Sequence, residues 1–429
     1  MDRRHFIGVS SAAIAAAGCS PAGAVSQAGD AQEEMAPSIA ALQSKRDQAT
    51  PITTEERAAR IAKAKQLMAD NRIDAIVLTG GTSLNYFTAA SWGLSERMFA
   101  AVLPVRGEAF VVCPAFEKDR AQEQLNRGPL GSAEVRTWQE DESPYERVAT
   151  GLRDRGIATG RVGIEETVRF VFSDGISSAA PALSIAAARP VTAGCRMVKG
   201  AHEIALMRLA SQVTLEAYEA AWRALAEGMT QNDFARLVSQ AHTQLGFTGG
   251  AGVQVGEFSA LPHGSVTPQT VREGTILLID GGCTVEGYQS DLSRTFVLGT
   301  PTQKMKDVFE IEFAAQSAAL AAAKPGVECQ AVDAAARKVI TDAGYGPDYT
   351  YFTHRVGHGI GMDGHEWPYL VRGNTLALEP GMTFSDEPGI YIRGEFGVRL
   401  EDDMLITESG AELLTPQSPS LENPFGRTA

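Results

Sequence analysis

In the first half of the chain, apolar positions alternate between a helical spacing and short continuous runs. Residues 54–71 place Ile61, Leu67 and Met68 on one helical face, after a Thr-Thr-Glu-Glu sequence typical of a helix start. Four short runs rich in strand formers follow, at 74–79, 99–104, 109–113 and 161–164. This alternation predicts a mixed sheet with helices packed on it. We find no catalytic motif in this half.

In the second half, two pairs of apolar runs each enclose a turn signal. The runs 275–279 and 292–298 flank Glu286-Gly287, and the runs 390–392 and 397–400 flank Gly394. Each pair therefore predicts a β-hairpin.

Each predicted hairpin carries two facing carboxylates. A turn centred near Val285 and Glu286 places Asp280 directly opposite Asp291, and a turn centred on Gly394 places Glu387 opposite Glu401. Cross-strand neighbours have Cβ atoms roughly 4.5–5.5 Å apart, a gap that suits two metal ions about 3.5–4 Å apart. Four carboxylates brought together would repel one another unless cations lay among them. The pattern therefore predicts a two-metal site.

His358 is the candidate nitrogen ligand. His354 and His358 have the helical i, i+4 spacing of zinc ligands, but Gly357, Gly359 and Gly361 make a helix there costly. We predict strand and loop, with glycines that let the backbone approach metal or substrate closely. One Asp at a strand end is usually a cap or turn residue, and one His beside glycines is usually a loop residue. Five such residues in order favour the metal site.

At these residues the sequence resembles the pita-bread metallopeptidases: prolidase, aminopeptidase P and methionine aminopeptidase. Three further motifs carry the resemblance, namely Arg196-Met197-Val198-Lys199, Leu261-Pro262-His263-Gly264 and Asp363-Gly364-His365-Glu366. The first looks like the opening of the family's first helix, and the second like its upstream histidine strand. The resemblance is strong over residues 196–415 and weaker over 52–190.

The resemblance implies an α+β fold in two domains. A smaller mixed α/β domain of the creatinase and prolidase type is expected over 51–192, and a catalytic pita-bread domain with pseudo-two-fold symmetry over 193–418. A C-terminal tail is expected over 419–429. A faint repeat agrees with this symmetry, because two helices starting after Gly228-Met229-Thr230 and Gly326-Val327-Glu328 end in similar ways and precede the predicted hairpins.

The resemblance also implies the ligand roles. Asp280 would bind one metal, Asp291 and Glu401 would bridge the two metals, and His358 and Glu387 would bind the other. A bridging water or hydroxide would be the nucleophile, with its pKa lowered by the cations. Glu387 would act as its general base and pass the proton to the leaving amine.

Four further side chains receive roles from the resemblance. His263 and His365 would hydrogen-bond the scissile peptide or the developing oxyanion. His354 would be a further pocket histidine, and Arg399 would support the ligands from behind. The ligand set suits Mn²⁺, Fe²⁺, Co²⁺ or Zn²⁺, and the family favours Mn²⁺.

The function implied is a dinuclear metallopeptidase that acts on small peptides. It would release an amino-terminal residue or split a dipeptide at the bond before proline. One alternative keeps the metal site but acts on a small non-peptide molecule as an amide hydrolase or lyase. Asp386 supports this alternative, because the family more often has a hydrophobic residue before the glutamate. A second alternative is a non-catalytic envelope binding protein on the same fold. A homodimer is expected from the family.

The amino terminus predicts export. Asp2-Arg3-Arg4-His5-Phe6-Ile7 resembles a twin-arginine signal, and an apolar run and Ala16-Ala17-Gly18-Cys19 resemble a lipoprotein processing site. We therefore expect a signal over 1–19, a periplasmic location with a possible lipid anchor at Cys19, and a flexible tether over 20–50. The sequence contains no stretch of about 20 apolar residues, so we do not predict a transmembrane span.

Charge and cysteine content limit the expected binding partners and the expected state of the thiols. The net charge of −14 over 429 residues disfavours nucleic acid and anionic membrane surfaces, so contact with a membrane is expected only through the lipid anchor. Cys113, Cys195, Cys283 and Cys329 are expected to be buried thiols, although one disulfide is left open in an oxidising compartment. Cys283 is expected not to be a ligand, although it lies three residues after Asp280.

Overall fold

The structure is a computed structural model and describes residues 35–426. The predicted export signal over 1–19, residues 20–34 of the predicted tether, and residues 427–429 of the tail lie outside the described residues. Among the residues that the structure describes, no helix has the length and apolar character needed to cross a membrane.

A six-stranded mixed sheet forms the centre of the N-terminal domain. In chain order, the elements up to the domain boundary are α1 (Pro37–Ala40), α2 (Thr54–Asp70), β1 (Ala75–Thr79), α3 (Thr82–Thr88), β2 (Ala100–Pro104), β3 (Phe110–Pro114), α4 (Lys118–Leu125), β4 (Glu134–Trp138), α5 (Pro144–Asp154), β5 (Gly160–Ile164), α6 (Phe170–Ala179), β6 (Leu183–Ala187) and α7 (Arg189–Arg196). The sheet order is β4-β3-β2-β1-β5-β6. The predicted mixed sheet with helices on it is confirmed.

Local signals explain the first long helix. Thr53 caps α2 by accepting from the Glu56 backbone N–H, while the Glu56 side chain accepts from the Thr53 backbone N–H. Ala64 and Met68 of this helix are fully buried against the sheet. The central strands β1, β2 and β3 are buried along their whole length, as expected for a sheet covered on both faces.

The second domain consists of two halves, which share a leading helix pair but differ in their number of strands. Its first half contains α8 (Ala201–Trp222), α9 (Gln231–Gln244), β7 (Thr248–Val255), β8 (Ile276–Val285), β9 (Tyr288–Gln289) and β10 (Leu292–Val297). Its second half contains α10 (Gln303–Ala322), α11 (Cys329–Asp342), β11 (Gly357–Gly359), β12 (Glu366–Leu370), β13 (Thr383–Asp386), β14 (Gly389–Ile392), β15 (Phe396–Arg399), β16 (Asp402–Ile406) and β17 (Ala411–Leu413).

In both halves a helix pair precedes antiparallel strands. The first half forms a sheet in the order β10-β8-β7, and the second half a sheet in the order β12-β11-β13-β16-β17 with the separate hairpin β14-β15. An antiparallel bridge between Ser293 and Glu401 joins the halves. The predicted α+β fold class is therefore confirmed, and the two halves meet where the candidate ligands lie.

The predicted flexible tether is wrong for residues 36–50. Ile39 is fully buried in the same cluster as residues of α8 and α9, and the Ser38 hydroxyl donates to the Ala220 carbonyl at 2.7 Å. Lys45 Nζ lies 2.9 Å from Glu216, and the Lys45 backbone N–H donates to the Leu245 carbonyl. Ala36, Leu42 and Ala49 pack partly buried against the same cluster, so the few apolar residues of this segment hold it on the second domain.

The junction between the domains lies after α7. Val191 and Cys195 of α7 belong to the core of the N-terminal domain, and α8 begins at Ala201. At the other end, Leu421 is buried in the core of the second domain. The four cysteines within the described part of the chain are free and buried, so the thiol interpretation holds for them.

Candidate metal centre

Asp280 and Asp291 lie in the first hairpin, but they are not directly opposite. Ser293 pairs with Asp280. Val285 pairs with Tyr288, and Glu286 and Gly287 form the turn between these two residues. The predicted pairing of the two aspartates is therefore wrong. Glu286 and Gly287 have φ values of 48° and 87°, which a two-residue hairpin turn with the twist of its strands requires. The turn thus lies one residue later than predicted, and every cross-strand partner shifts by two.

This shift keeps Asp291 on the face that was predicted. Side chains two residues apart in a strand share a face, so Asp291 lies diagonally from Asp280 and beside Ser293. The two aspartates remain close enough to contribute oxygens to one group with Glu401.

The second hairpin has the predicted register. Gly389 pairs with Arg399 in the β14-β15 hairpin, and Asp386 pairs with Asp402 between β13 and β16. Glu387 lies between these two pairings and faces Glu401. Pro388 interrupts the ladder at this point because it has no backbone N–H to donate.

His358 lies in β11, as the glycine pattern predicts. Its Nδ1 is 3.1 Å from the Gly359 carbonyl, and its Nε2 is 3.2 Å from Glu387 Oε1 and 3.8 Å from Asp291 Oδ2. Donation of the Nδ1 proton to the carbonyl fixes the tautomer and leaves the Nε2 lone pair directed at the carboxylates. Such an orientation suits a metal ligand.

Three overlapping groups of side chains could each hold a metal ion. In each group one ligand atom per residue lies within 4.8 Å of the others, and the groups are Asp280, Asp291 and Glu401; His358, Glu387 and Glu401; and Asp291, His358 and His365. Glu401 belongs to both carboxylate-rich groups, and Asp291 is shared as well. The structure thus brings together all five predicted ligands.

The carboxylates perturb one another strongly. Burial raises the pKa of Glu401, and the charges of Asp291 and Glu387 raise it further. Burial and the Asp280 charge also raise the pKa of Asp291. Burial alone would lower the pKa of His358, but the hydrogen bond and charge of Glu387 outweigh this effect, so its pKa is raised. A cluster of buried acids around one imidazole is electrostatically costly without cations.

The chemistry of these donors fits divalent ions. Four carboxylates and one imidazole with a fixed tautomer are oxygen and nitrogen ligands of the kind that Mn²⁺, Fe²⁺, Co²⁺ and Zn²⁺ accept. The shared positions of Glu401 and Asp291 between the groups suit oxygens that bridge two ions. Asp280 and Glu387 belong to different groups, so each suits one ion.

Arg399 and Ser293 support the carboxylates from behind. Arg399 Nη2 lies 2.5 Å from Asp280 Oδ2, and Arg399 Nε donates to Ser293 Oγ at 2.9 Å. Ser293 Oγ lies 2.9 Å from Asp280 Oδ1 and 2.6 Å from Glu401 Oε2. The sequence pointed to Arg399 but missed Ser293, because the misplaced turn hid its position opposite Asp280.

A second serine, Ser385, supports the other side of the site. Its hydroxyl lies 3.0 Å from Glu387 Oε1 and accepts from the His358 backbone N–H at 3.0 Å. The alternation of β13 alone could have indicated this residue, because Ser385 and Glu387 are two apart and share a face.

His354 lies beside the site rather than among the ligand groups. Its Nδ1 is 2.8 Å from the Arg355 carbonyl, and its Nε2 is 2.7 Å from the Tyr391 hydroxyl. Tyr391 also accepts from Arg399 Nη1 at 3.1 Å, so His354 is linked through two hydrogen bonds to the arginine that holds Asp280. Burial lowers the pKa of His354 despite the nearby charge of Glu387.

His365 stacks on His358. The two ring centroids are 3.6 Å apart with an interplanar angle of 16°, and Arg355 Nη2 lies 3.2 Å from His365 Nδ1. Burial and the charges of His358 and Arg355 lower the pKa of His365 to about 4 and outweigh the opposing charges of Glu387 and Asp280. The ring is therefore neutral at pH 7. A neutral imidazole can still donate one hydrogen bond to a substrate.

His263 is exposed in a loop, and the predicted histidine strand is wrong. Residues Gly256–Ala260 form a short 3-10 helix, after which Pro262 and Gly264 turn the chain, with φ of 77° at Gly264. The Pro262 carbonyl accepts from Arg399 Nη1 at 3.1 Å, so the backbone of this loop contacts the site. The His263 side chain itself lies at the surface.

The glycines around His358 permit close backbone packing. A Cβ at Gly357 would lie 2.0 Å from the Ser385 carbonyl oxygen, and one at Gly359 would lie 2.5 Å from the Glu366 carbonyl oxygen. At Gly361 the nearest atom would be Glu366 Oε1 at 2.4 Å. These glycines therefore admit neighbouring protein atoms to β11.

Two sequence profiles of known families match the chain. The family described as Metallopeptidase family M24 matches residues 205–408, and the Creatinase/Prolidase N-terminal domain matches residues 60–198. The matched segments coincide with the two domains of the structure. The segment 205–408 contains all five candidate ligands.

Curated and solved proteins resemble the chain over most of its length. The Xaa-Pro dipeptidase of Lactobacillus delbrueckii subsp. lactis is 34% identical over 376 residues, covering 84% of this chain and 97% of the relative. The probable dipeptidase PepE of Mycobacterium tuberculosis (strain ATCC 25618 / H37Rv) is 36% identical over 363 residues, covering 83% and 94%. The crystal structure of dipeptidase PepE from Mycobacterium ulcerans is 32% identical with a TM-score of 0.81, covering 87% and 99%.

Proposed function

The chain belongs to metallopeptidase family M24 and is a peptidase, and from this premise we propose that it is a dinuclear metal-dependent Xaa-Pro dipeptidase. The observation that carries the proposal is the convergence of Asp280, Asp291, His358, Glu387 and Glu401, with Glu401 common to two groups of ligand atoms. Similarity over 84% and 83% of the chain to proteins named as dipeptidases supports a dipeptide substrate over a longer peptide.

The five residues would hold two divalent ions, with Asp280 on one ion, His358 and Glu387 on the other, and Asp291 and Glu401 between them. When bound, such ions lower the pKa of a water molecule and polarise the scissile carbonyl. We propose Mn²⁺ as the preferred ion, with Zn²⁺, Co²⁺ and Fe²⁺ as alternatives.

The protein's own groups would then guide proton transfer and orientation. Burial raises the pKa of Glu387, but its hydrogen bond to His358 and the surrounding positive charges outweigh burial and keep this pKa low. Glu387 would therefore be ionised and able to accept a proton from water and deliver it to the leaving proline nitrogen. His365, which belongs to the group with Asp291 and His358, would donate a hydrogen bond to the developing oxyanion.

The non-peptide alternative loses its main support, because Asp386 does not line the site. Its carboxylate is fully buried, and neither oxygen has a hydrogen-bond partner among the described residues. Burial, followed by the charges of Asp402 and Glu312, raises its pKa. A fully buried carboxyl group packed behind the ligands is not placed to select a substrate.

A direct assay tests the proposed function. The mature chain would be stripped of metal, reloaded separately with Mn²⁺, Co²⁺ and Zn²⁺, and assayed with Ala-Pro, Ala-Ala and Ala-Pro-Ala. We expect metal-dependent cleavage of Ala-Pro in preference to the other two peptides. Metal-loaded protein that cleaves none of them would refute the proposal, and preference for Ala-Pro-Ala would indicate an aminopeptidase instead.

Glu401→Ala tests the bridging role, and Glu395→Ala is its control because Glu395 is exposed and pairs only with surface Lys304 among the described residues. We expect Glu401→Ala to lose nearly all activity and part of its metal content, and Glu395→Ala to keep both. Full activity with full metal content in Glu401→Ala would refute the assignment.

We also propose, from the sequence, that a twin-arginine-like signal exports the protein to the periplasm and that Cys19 carries a lipid. Cell fractionation with wild type and Cys19→Ser would test this, since only the wild type should partition with membranes. A homodimer is proposed from the family resemblance, and sedimentation would measure it.

A further inference from the structure

Two buried basic residues near the domain junction have no place in the proposed chemistry. Arg196 ends α7, and Lys199 lies just before α8; their side chains are 9% and 2% exposed. Burying a guanidinium and an ammonium group is costly unless each is paired, so their partners show what these charges hold in place.

The partners are two acids on either side of His365. Arg196 Nη2 lies 2.6 Å from Asp363 Oδ2 and also binds Glu366 Oε2, while Lys199 Nζ lies 2.7 Å from Glu366 Oε1. Asp363 precedes His365 by two residues, and Glu366 follows it directly. The two basic residues thus hold the loop on both sides of the histidine.

The N-terminal domain adds a contact to the same loop. The Thr82 hydroxyl, in α3, donates to Asp363 Oδ1 at 2.5 Å, and Arg196 Nη1 lies 3.4 Å from Ser83 Oγ. Asp363 therefore receives one hydrogen bond from α3 and one from the last residue of α7, both in the N-terminal domain. These polar contacts join the N-terminal domain directly to the loop that carries His365.

A small cavity places this cluster next to the candidate site. It has a volume of about 280 Å³, and its wall includes Ser83, Arg196, Asp363, His365 and Glu366. Because His365 stacks on His358 at 3.6 Å, a displacement of the loop would move the ring away from the ligands.

We propose that Arg196 is a positioning residue for His365, acting through Asp363 and Glu366, with Lys199 and Thr82 as supporting contacts. This inference rests on the proposed function in assigning His365 a contact with the substrate. Arg196 is suited to this role because its Nη2 binds both carboxylates while its Nη1 approaches Ser83, whereas a lysine would keep the charge but lack the second nitrogen.

Arg196 is not placed to bind the substrate carboxylate. Its Nη2 is already shared by two acids, and among the described side chains Arg196 Nε is buried without a hydrogen-bond partner. A substrate anion would have to compete with Asp363 and Glu366 for the same nitrogen. Loss of Arg196 should therefore lower kcat by displacing His365 and change KM little.

The test compares Arg196→Gln, Arg196→Lys and Thr82→Val with wild type. Arg136→Gln is the matched control, because Arg136 pairs with Asp154 at 2.7 Å on the outer part of the N-terminal domain, away from His365. Thr82→Ser is a second control that keeps the hydroxyl. For each variant, kcat and KM for Ala-Pro are measured with saturating metal, together with metal content and thermal unfolding.

A second measurement does not depend on turnover. The metal-free chain is treated with diethyl pyrocarbonate, and modification of His365 is followed by mass spectrometry, with His202 as the internal reference. His202 lies in α8 and contacts Glu56, so it reports general loosening of the protein rather than movement of the loop.

We expect Arg196→Gln to lower kcat about 10- to 100-fold, because an error of about 1 Å in the position of a reacting group can have that effect. KM should stay within about threefold, as expected when an interaction made in the transition state is lost. Modification of His365, relative to His202, should be several-fold faster. Arg196→Lys and Thr82→Val should show smaller changes in the same direction, and Thr82→Ser should resemble wild type.

The proposal is refuted if Arg196→Gln changes stability only, with kcat and relative His365 modification within about twofold of the control. A large rise in KM at unchanged kcat would also refute it, since that result indicates a substrate-binding role. If Arg196→Gln does not fold, Arg196→Lys and Thr82→Val decide the question. If even wild type cleaves no Xaa-Pro peptide, the proposed function fails, while the modification rates still test the positioning role.

Discussion

Arg399 Nη2 lies 2.5 Å from Asp280 Oδ2, so a buried guanidinium holds a candidate metal ligand from behind. The same side chain lies 3.8 Å from Glu401 Oε2 and contacts the Tyr391 hydroxyl. One arginine thus fixes the orientation of carboxylates from both halves of the second domain. The first effect of removing the Arg399 side chain should therefore be weaker metal binding.

We predict that Arg399→Gln weakens metal binding about 10- to 100-fold, the usual effect of losing a group that orients a ligand. Titration of the metal-free chain with Mn²⁺, followed by calorimetry, measures this directly. Arg399→Lys should recover part of the affinity, because it keeps the charge but not the fork. Unchanged affinity in Arg399→Gln would show that Asp280 is held in place by other groups.

The sequence predicted elements whose signals are local and failed where the outcome depends on turn geometry. Glu387 faces Glu401 as predicted because a single glycine, Gly394, marks the turn. The first hairpin was misplaced by one residue because Glu286, a non-glycine residue, adopts a left-handed conformation. A shift of this size does not change the face of Asp291, so the ligand set survived although the pairing was wrong.

Tertiary contacts explain the remaining differences. The 36–50 segment is polar enough to suggest a tether. However, Ile39 packs against α8 and α9, which lie more than 150 residues later in the sequence. His263 was assigned to a strand from resemblance alone, and the local breakers Pro262 and Gly264 place it in a loop. Arg196 matched a motif without a role, because its partners Asp363 and Glu366 are about 170 residues away and no periodicity relates them.

Ser293→Ala should weaken metal binding while leaving the fold intact. The Ser293 hydroxyl lies between Asp280 and Glu401 and accepts from Arg399, so its loss leaves both carboxylates less constrained. We expect Mn²⁺ affinity about tenfold lower and partial recovery of activity at high metal concentration. Ser173→Ala is the control, because Ser173 is partly exposed and its hydroxyl donates to the Phe170 carbonyl within α6. Activity that cannot be recovered with metal would assign Ser293 a role beyond ligand orientation.

Gly357→Ala should disrupt the site, whereas Gly364→Ala should be tolerated. A Cβ at position 357 would lie 2.0 Å from the Ser385 carbonyl oxygen, and the strand that carries His358 would have to move. At position 364 the nearest atom would be Gln289 Oε1 at 3.4 Å, which is ordinary contact. Circular dichroism melting and Mn²⁺ binding would measure the difference. Equal behaviour of the two variants would contradict the close packing of β11 against β13.

Ile39→Ala should destabilise the protein by about 2–4 kcal/mol, the usual cost of truncating a buried aliphatic side chain. Ile39 is fully buried against α8 and α9 although it precedes both domains in the sequence. Lys45→Ala, which removes a partly exposed ion pair with Glu216, should cost less than about 1 kcal/mol. Urea unfolding of both variants would test this. A cost below that of Lys45→Ala would mean that the 36–50 segment contributes little to stability.

His242 should make the protein less stable as the pH falls. Burial in α9 lowers the pKa of His242 to about 4, and its ring is fully buried beside Val238 and Thr214. The unfolded chain has an ordinary histidine pKa of about 6.5, so it binds more protons than the folded chain between these values. The stability contributed by the neutral ring is therefore complete above about pH 6.5 and is lost progressively towards pH 4.

A shift of this size corresponds to about 3 kcal/mol. We therefore expect the free energy of unfolding of the metal-free wild type, taken relative to that of His242→Gln, to fall between pH 7.5 and 5, because His242→Gln cannot take up this proton. Urea unfolding of both proteins at each pH isolates the contribution, because the buried acids of the site titrate alike in the two. His202→Gln is the control, since His202 is partly exposed and contacts Glu56. The same pH dependence in wild type and His242→Gln would show that His242 is not the titrating group.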